Sequence, residues 1–140
     1  MDKNLKNAYR NTIFRIFSNA PFDLKIDVYS KALNQCFKYH NAKTCTIITA
    51  YNPYSKRITD AENIKKNIAL LSEINKSGFN YLDAIGLDPQ NEWEGEASFF
   101  IFNISRLEAQ RMGNKYQQNA IIWAETDCMP RLIFLCDLTR

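Results

Sequence analysis

The stretch Thr59–Gly78, TDAENIKKNIALLSEINKSG, carries the start, body and stop of one helix. Thr59 is an N-cap residue, and Glu62 stands three positions on, completing a Thr-x-x-Glu capping box. Ala61, Ile64, Ile68, Leu71 and Asn75 recur at spacings of three and four, with Leu70 and Ile74 widening that side, so this side is expected to face the core. Gly78 follows the last periodic residue, where a left-handed stop is tolerated. The helix therefore reads as Asp60–Lys76.

Strand patterns flank it. Thr44–Ala50 is rich in Thr and Ile, and Tyr51-Asn52-Pro53-Tyr54-Ser55 ends it, because the residue before a proline avoids the helical region. Phe79–Ile85 reads as a strand on the other side. Gly86–Gly95 is a polar loop, and Ser98–Ile104 is apolar almost throughout, as a central strand buried on both faces would be. Ser105 and Glu108 open a second capped helix, with Ala109, Met112, Gly113 and Tyr116 on one side.

Working further out, Asn4–Arg10 reads as a short helix. Thr12–Phe17 and Phe22–Ile26 form a hairpin around Asn19-Ala20-Pro21, and Tyr29–Tyr39 is a helix. Asn119–Glu125 and Arg131–Cys136 form a closing hairpin. The order is α-β-β-α-β-α-β-β-α-β-β. It predicts an α+β fold: one domain over residues 1–140, with a mixed sheet of about six or seven strands and three main helices packed on it.

Composition narrows the class of protein. The chain has 140 residues, 46% of them apolar, enough for a core without metals or disulfides. The net charge of +3 is too weak to predict a nucleic-acid partner. The N-terminus is basic (Lys3, Lys6, Arg10, Arg15), whereas Asp83–Glu96 holds five acids and no base; both read first as solvated surface. No signal-like apolar run and no membrane-length span occurs, so a cytoplasmic location with reduced cysteines is expected.

Four short segments carry a resemblance. They are Ile48-Thr49-Ala50-Tyr51-Asn52-Pro53; Glu62-Asn63; Gly86-Leu87-Asp88-Pro89 with Glu92-Trp93 and Glu96-Ala97-Ser98-Phe99; and Gln118-Asn119-Ala120-Ile121-Ile122-Trp123. In this order and spacing the chain resembles a family of small bacterial proteins catalogued as domain of unknown function 3293, from roughly Ala8 to Leu135. Family members often carry prolines between the tryptophan and the glutamate, where this chain has Glu94-Gly95. The resemblance implies a single-domain bacterial protein and no known reaction, ligand or catalytic residue.

Function must then be argued from the residues. The four segments lie at the ends of predicted elements, where ligands of helix-covered sheets often sit. Thr49, Tyr51, Asn52, Asn63, Trp93, Glu96, Gln118 and Asn119 are the candidate ligand-binding residues, joined by Asn67 one turn after Asn63. Their amides and hydroxyls suit a small polar or nucleotide-like ligand. The plainer reading is that such side chains cap turns and tie loops to the sheet. Glu96, beside an apolar strand, is the stronger candidate for general acid or base, with Asp88 the weaker. A carboxylate-dependent enzyme is therefore an alternative, with Asp88, Glu92 and Glu96 as possible oxygen ligands for Mg²⁺, although their spacing matches no known metal loop. A third reading is a protein–protein interaction module that uses Tyr51, Tyr54 and Trp93.

Cys36, His40 and Cys45 invite a zinc site or a Cys–His pair. Zinc spacing is missing, and Cys36, Cys45 and Cys136 fall in apolar patterns, so small buried hydrophobes are expected instead. Four isolated glycines exclude the phosphate-loop fingerprints. The sequence assigns no metal and leaves cofactor, reaction, ligand identity and oligomeric state open.

Overall fold

The computed structural model describes residues 3–135. The elements are α1 (Lys3–Asn11), β1 (Ile13–Ile16), β2 (Phe22–Leu24), α2 (Lys31–His40), β3 (Cys45–Ile48), a 3₁₀ turn (Pro53–Ser55), α3 (Asp60–Lys76), β4 (Tyr81–Leu87), β5 (Glu96–Phe102), α4 (Arg106–Lys115), β6 (Ala120–Ala124) and β7 (Arg131–Phe134). The seven strands form one sheet in the order β2-β1-β4-β5-β3-β6-β7.

The fold is α+β, and every neighbouring pair in the sheet is antiparallel. This refines the mixed sheet expected from the strand–helix–strand passages. β3 sits between β5 and β6, with Ile48 opposite Phe99 and Thr46 opposite Trp123. α3 therefore links β3 to β4, which lies two places away and runs parallel to it without being its neighbour. Both hairpins form, β1–β2 and β6–β7. Cys136, expected at the end of the last strand, lies outside the described residues.

The two faces of the sheet bury separate cores. One core gathers Phe14, Ile16, Leu24, Leu33, Phe37, Cys45, Phe100, Phe102 and Ile122 around α2. The other gathers Ile48, Leu70, Ile74, Phe99, Ile101, Met112, Ile121 and Trp123 beneath α3 and α4. The Asp27 N–H donates to the Pro130 carbonyl (2.8 Å) and the Ser30 N–H to the Cys128 carbonyl (2.9 Å). These bonds tie the chain after one edge strand to the chain before the other, so the sheet curls around α2. β5, the fourth strand of seven, is buried from Ser98 to Phe102, which explains its unbroken apolar run.

α3 has the predicted ends. The Thr59 hydroxyl accepts from the Glu62 N–H, the Glu62 side chain accepts from the Thr59 N–H, and Gly78 adopts φ +77°. Its buried face overlaps the expected one at Leu70 and Ile74, with Leu71 partly buried against the same core, and differs from it at the N-terminal half. Asn63, Asn67, Leu70 and Ile74 point inward, while Ile64 and Ile68 are 53% and 64% exposed. The reason lies in what the asparagines bind.

Candidate functional site

β3 ends at Ile48, and the chain then crosses the N-terminal half of α3 before the 3₁₀ turn. Inward-facing asparagines supply the hydrogen bonds that this irregular segment lacks. The Ala50 N–H donates to Asn67 Oδ1 (2.8 Å), and Asn67 Nδ2 donates to the Ala97 carbonyl on β5 (2.9 Å). Thr49 Oγ1 donates to the same carbonyl (2.7 Å) and accepts from the Tyr51 N–H (3.1 Å).

Asn52 is the hub. Its N–H donates to Asn63 Oδ1 (2.7 Å), and its Oδ1 accepts from Asn63 Nδ2 (3.0 Å) and the Ile58 N–H (3.1 Å). That leaves Nδ2, which donates to Glu96 Oε1 (3.0 Å). Asn52 has φ 46° and ψ 68°, a left-handed conformation that asparagine tolerates better than most residues.

The third wall is the turn after α4. Gln118 Nε2 donates to the carbonyls of Tyr51 (3.1 Å) and Tyr116 (3.2 Å), and Asn119 Nδ2 donates to Ser55 Oγ (2.9 Å). The Tyr54 N–H donates to the Gln117 carbonyl (2.6 Å). Tyr54, Ser55 and Gln117 also have positive φ (53°, 62° and 59°). Left-handed backbone costs a non-glycine residue roughly 1–2 kcal/mol. Together with Asn52, four such residues stand within one cluster, held there by the side-chain network.

The structure thus brings Thr49, Tyr51, Asn52, Asn63, Glu96, Gln118 and Asn119 together, with Asn67 beneath them. Trp93 stands apart in the β4–β5 loop, 38% exposed, and takes no part in these hydrogen bonds. Asp88 also stays local. Its two oxygens accept the N–H groups of Gln90 (3.0 Å) and Glu92 (2.8 Å), so it shapes its own loop. Among the described residues no three His, Cys, Asp or Glu side chains gather as a metal-holding group, so Asp88, Glu92 and Glu96 do not converge as Mg²⁺ ligands. Ser55 and the backbone of Ile58 belong to the cluster but were not singled out from the sequence. An Asn-Pro step marks a turn without revealing its partners.

Glu96 is the chemically distinctive member. It opens β5, is half-buried, and its carboxyl is pushed above the ordinary value chiefly by loss of solvent, with the Asn52 hydrogen bond pulling the other way. The amides of Asn63, Asn67, Gln118 and Asn119 are occupied by chain partners, so they hold the cluster's shape. A shallow open depression lies beside the cluster, lined by Arg57, Ile58, Thr59, Asp60 and Glu62.

The cysteines behave as core residues. Cys36, Cys45 and Cys128 are buried free thiols; burial pushes Cys36 up to about 11 and Cys45 well above its ordinary value, which keeps both protonated and unreactive. His40 stacks on Phe102 at 4.4 Å between ring centroids.

The profile of the family described as "Protein of unknown function (DUF3293)" matches residues 48–121, just over half of the chain. It begins where β3 ends and stops on β6, so it contains α3, β5, α4 and the whole hydrogen-bonded cluster. The chain belongs to the DUF3293 family. No curated protein and no solved structure matches it. Among the described residues no helix of this DUF3293 protein is long and apolar enough to cross a membrane.

Proposed function

We propose that this DUF3293 protein is a binding module of the bacterial cytoplasm that takes a small polar, nucleotide-like ligand at the sheet end, against Glu96. One observation carries the reading: a desolvated carboxylate is fixed by a left-handed asparagine at the meeting point of three irregular segments. A network that holds four left-handed residues in one cluster, one of them bonded to the carboxylate, fits pre-organisation for a ligand better than simple loop closure. A carboxylate accepts hydrogen bonds only, so it selects a ligand edge with N–H donors, as a nucleobase offers. The half-buried rings of Tyr51 and Tyr54 flank Asn52 in sequence and suit the ring of such a ligand.

A thermal-shift screen of nucleosides, nucleotides and polar metabolites tests this. A ligand at 100 times its Kd stabilises the folded protein by about 2.7 kcal/mol. At least one compound is expected to raise the Tm of the wild type and not that of Glu96→Ala. If no compound stabilises the wild type more than the variant, the reading fails.

The raised Glu96 pKa favours a second reading, an enzyme with Glu96 as general acid or base. Turnover of a bound compound, lost in Glu96→Gln while binding persists, would select it.

A further inference from the structure

Two polar groups of the cluster take no partner among the described residues. The first is on Asn52. Its Oδ1 accepts from the Ile58 N–H (3.1 Å) and from Asn63 Nδ2 (3.0 Å), and a backbone N–H can only donate, so the orientation of the amide is fixed. Its Nδ2 carries two N–H groups and gives one to Glu96 Oε1 (3.0 Å), which leaves the other over. The second is Glu96 Oε2. Among the described residues only Asn114 Oδ1 is both buried and unpartnered, so Glu96 Oε2, which accepts no hydrogen bond, reaches solvent.

These groups are consecutive: Nδ2 is bonded to Oε1, and Oε1 shares a carbon with Oε2. Nδ2 is a donor, Oε1 keeps one lone pair beyond the Asn52 bond, and Oε2 keeps both. With the carboxyl ionised the series reads donor, acceptor, acceptor. That is the order along the pairing edge of cytosine (N4–H, N3, O2), and its complement is acceptor, donor, donor. Among the common nucleobases guanine alone presents that complement, as O6, N1–H and N2–H. Adenine and cytosine begin with a donor, and uracil ends with an acceptor. A pterin carries the guanine order on its 2-amino-4-oxopyrimidine ring.

Resting on the binding site proposed above, we propose that its ligand carries a 2-amino-4-oxopyrimidine edge, the edge shared by guanine compounds and pterins. Asn52 Nδ2 donates to the ring oxygen, Glu96 Oε1 accepts from the ring N–H, and Glu96 Oε2 accepts from the 2-amino group. Two parallel N–H bonds to one carboxylate are stronger than neutral pairs and fix the plane of the ring. Both residues are half-buried, so a seated ring shields these bonds from water. Asn63 and the Ile58 N–H already hold the Asn52 amide, so little ordering is left for the ligand to impose.

Isothermal titration calorimetry with guanosine, inosine, adenosine, uridine, xanthosine and pterin tests the proposal. The wild type is expected to bind guanosine roughly tenfold or more tightly than inosine, which lacks the 2-amino donor. Adenosine and uridine should bind no better than inosine. Guanosine tighter than pterin marks a guanine compound as the source of the edge, and the reverse order marks a pterin. Glu96→Gln supplies a gain of function. The Asn52 N–H holds the glutamine oxygen in the Oε1 place, so its amide nitrogen replaces Oε2 and the series becomes donor, acceptor, donor. Xanthine, with an oxygen in place of the 2-amino group, is the complement. The variant, checked for folding by circular dichroism, is therefore expected to prefer xanthosine to guanosine. An unchanged preference in the variant, or wild-type binding of adenosine or uridine as tight as that of guanosine, overturns the edge. If none of these compounds binds while another stabilises the wild type and not Glu96→Ala, the edge falls and the binding site stands. If nothing binds in either assay, both fall.

Discussion

Asn67 shows how one side chain decides the local structure. It satisfies the buried Ala50 N–H and the Ala97 carbonyl together, joining the chain after β3 to β5. Asn67→Ala would strand the Ala50 N–H, while the Ala97 carbonyl keeps the Thr49 hydroxyl, so a loss of about 1–3 kcal/mol is expected in urea unfolding. Asn119→Ala loses one bond to an exposed serine and should cost under about 1 kcal/mol in the same assay. Glu96 makes the opposite kind of prediction. Its folded pKa is raised above the ordinary 4.5, so the folded state holds the proton more tightly than the unfolded chain. Its contribution is fully present below the unfolded value and is lost as pH rises through the folded one. The Tm of Glu96→Gln should therefore gain on that of the wild type as the pH rises above about 4.5, and a constant gap would contradict the burial argument. At this scale the sequence identifies the polar residues at element ends and misses their pairing. Asn52 and Asn63 are eleven positions apart, and nothing in residue type says that they exchange two hydrogen bonds.

α3 is the element whose limits were fully legible and whose orientation was not. The capping box and Gly78 set its ends through local chemistry, and Thr59→Ala should cost about 1 kcal/mol. Its face depends on partners elsewhere. An apolar stripe is the default reading of a core face, yet here two asparagines are buried because an irregular loop needs their amides. The assignment is easily checked. Leu70→Ala should cost about 2–5 kcal/mol, whereas Ile68→Ala should stay within about 0.5 kcal/mol. The reverse outcome would restore the stripe to the core. In α4, a Cβ on Gly113 would lie 2.5 Å from Leu135 Cδ1 and 2.8 Å from Ile121 Cγ2. Gly113→Ala should therefore destabilise by roughly 1–3 kcal/mol despite the better helix propensity of alanine.

Across the whole molecule, the α+β class and the two hairpins followed from element order and alternation. The antiparallel pairing throughout did not. β3 inserts between β5 and β6, strands made 48 and 72 residues later if counted from Ile48 to Glu96 and to Ala120, and no local pattern encodes that insertion. The consequence is a sheet whose central strands, β5 and β3, reach the hydrogen-bonded cluster with Glu96 at the start of one and Thr49 just past the end of the other. The central claim is that this convergence is a ligand site. Its most direct test is the ¹H–¹⁵N NMR spectrum titrated with the compound that most stabilises the wild type in the thermal-shift screen. Shifts confined to residues 49–58, 93–98 and 116–119, absent in Glu96→Ala, are the predicted result. Shifts centred elsewhere, or unchanged by that substitution, would contradict it.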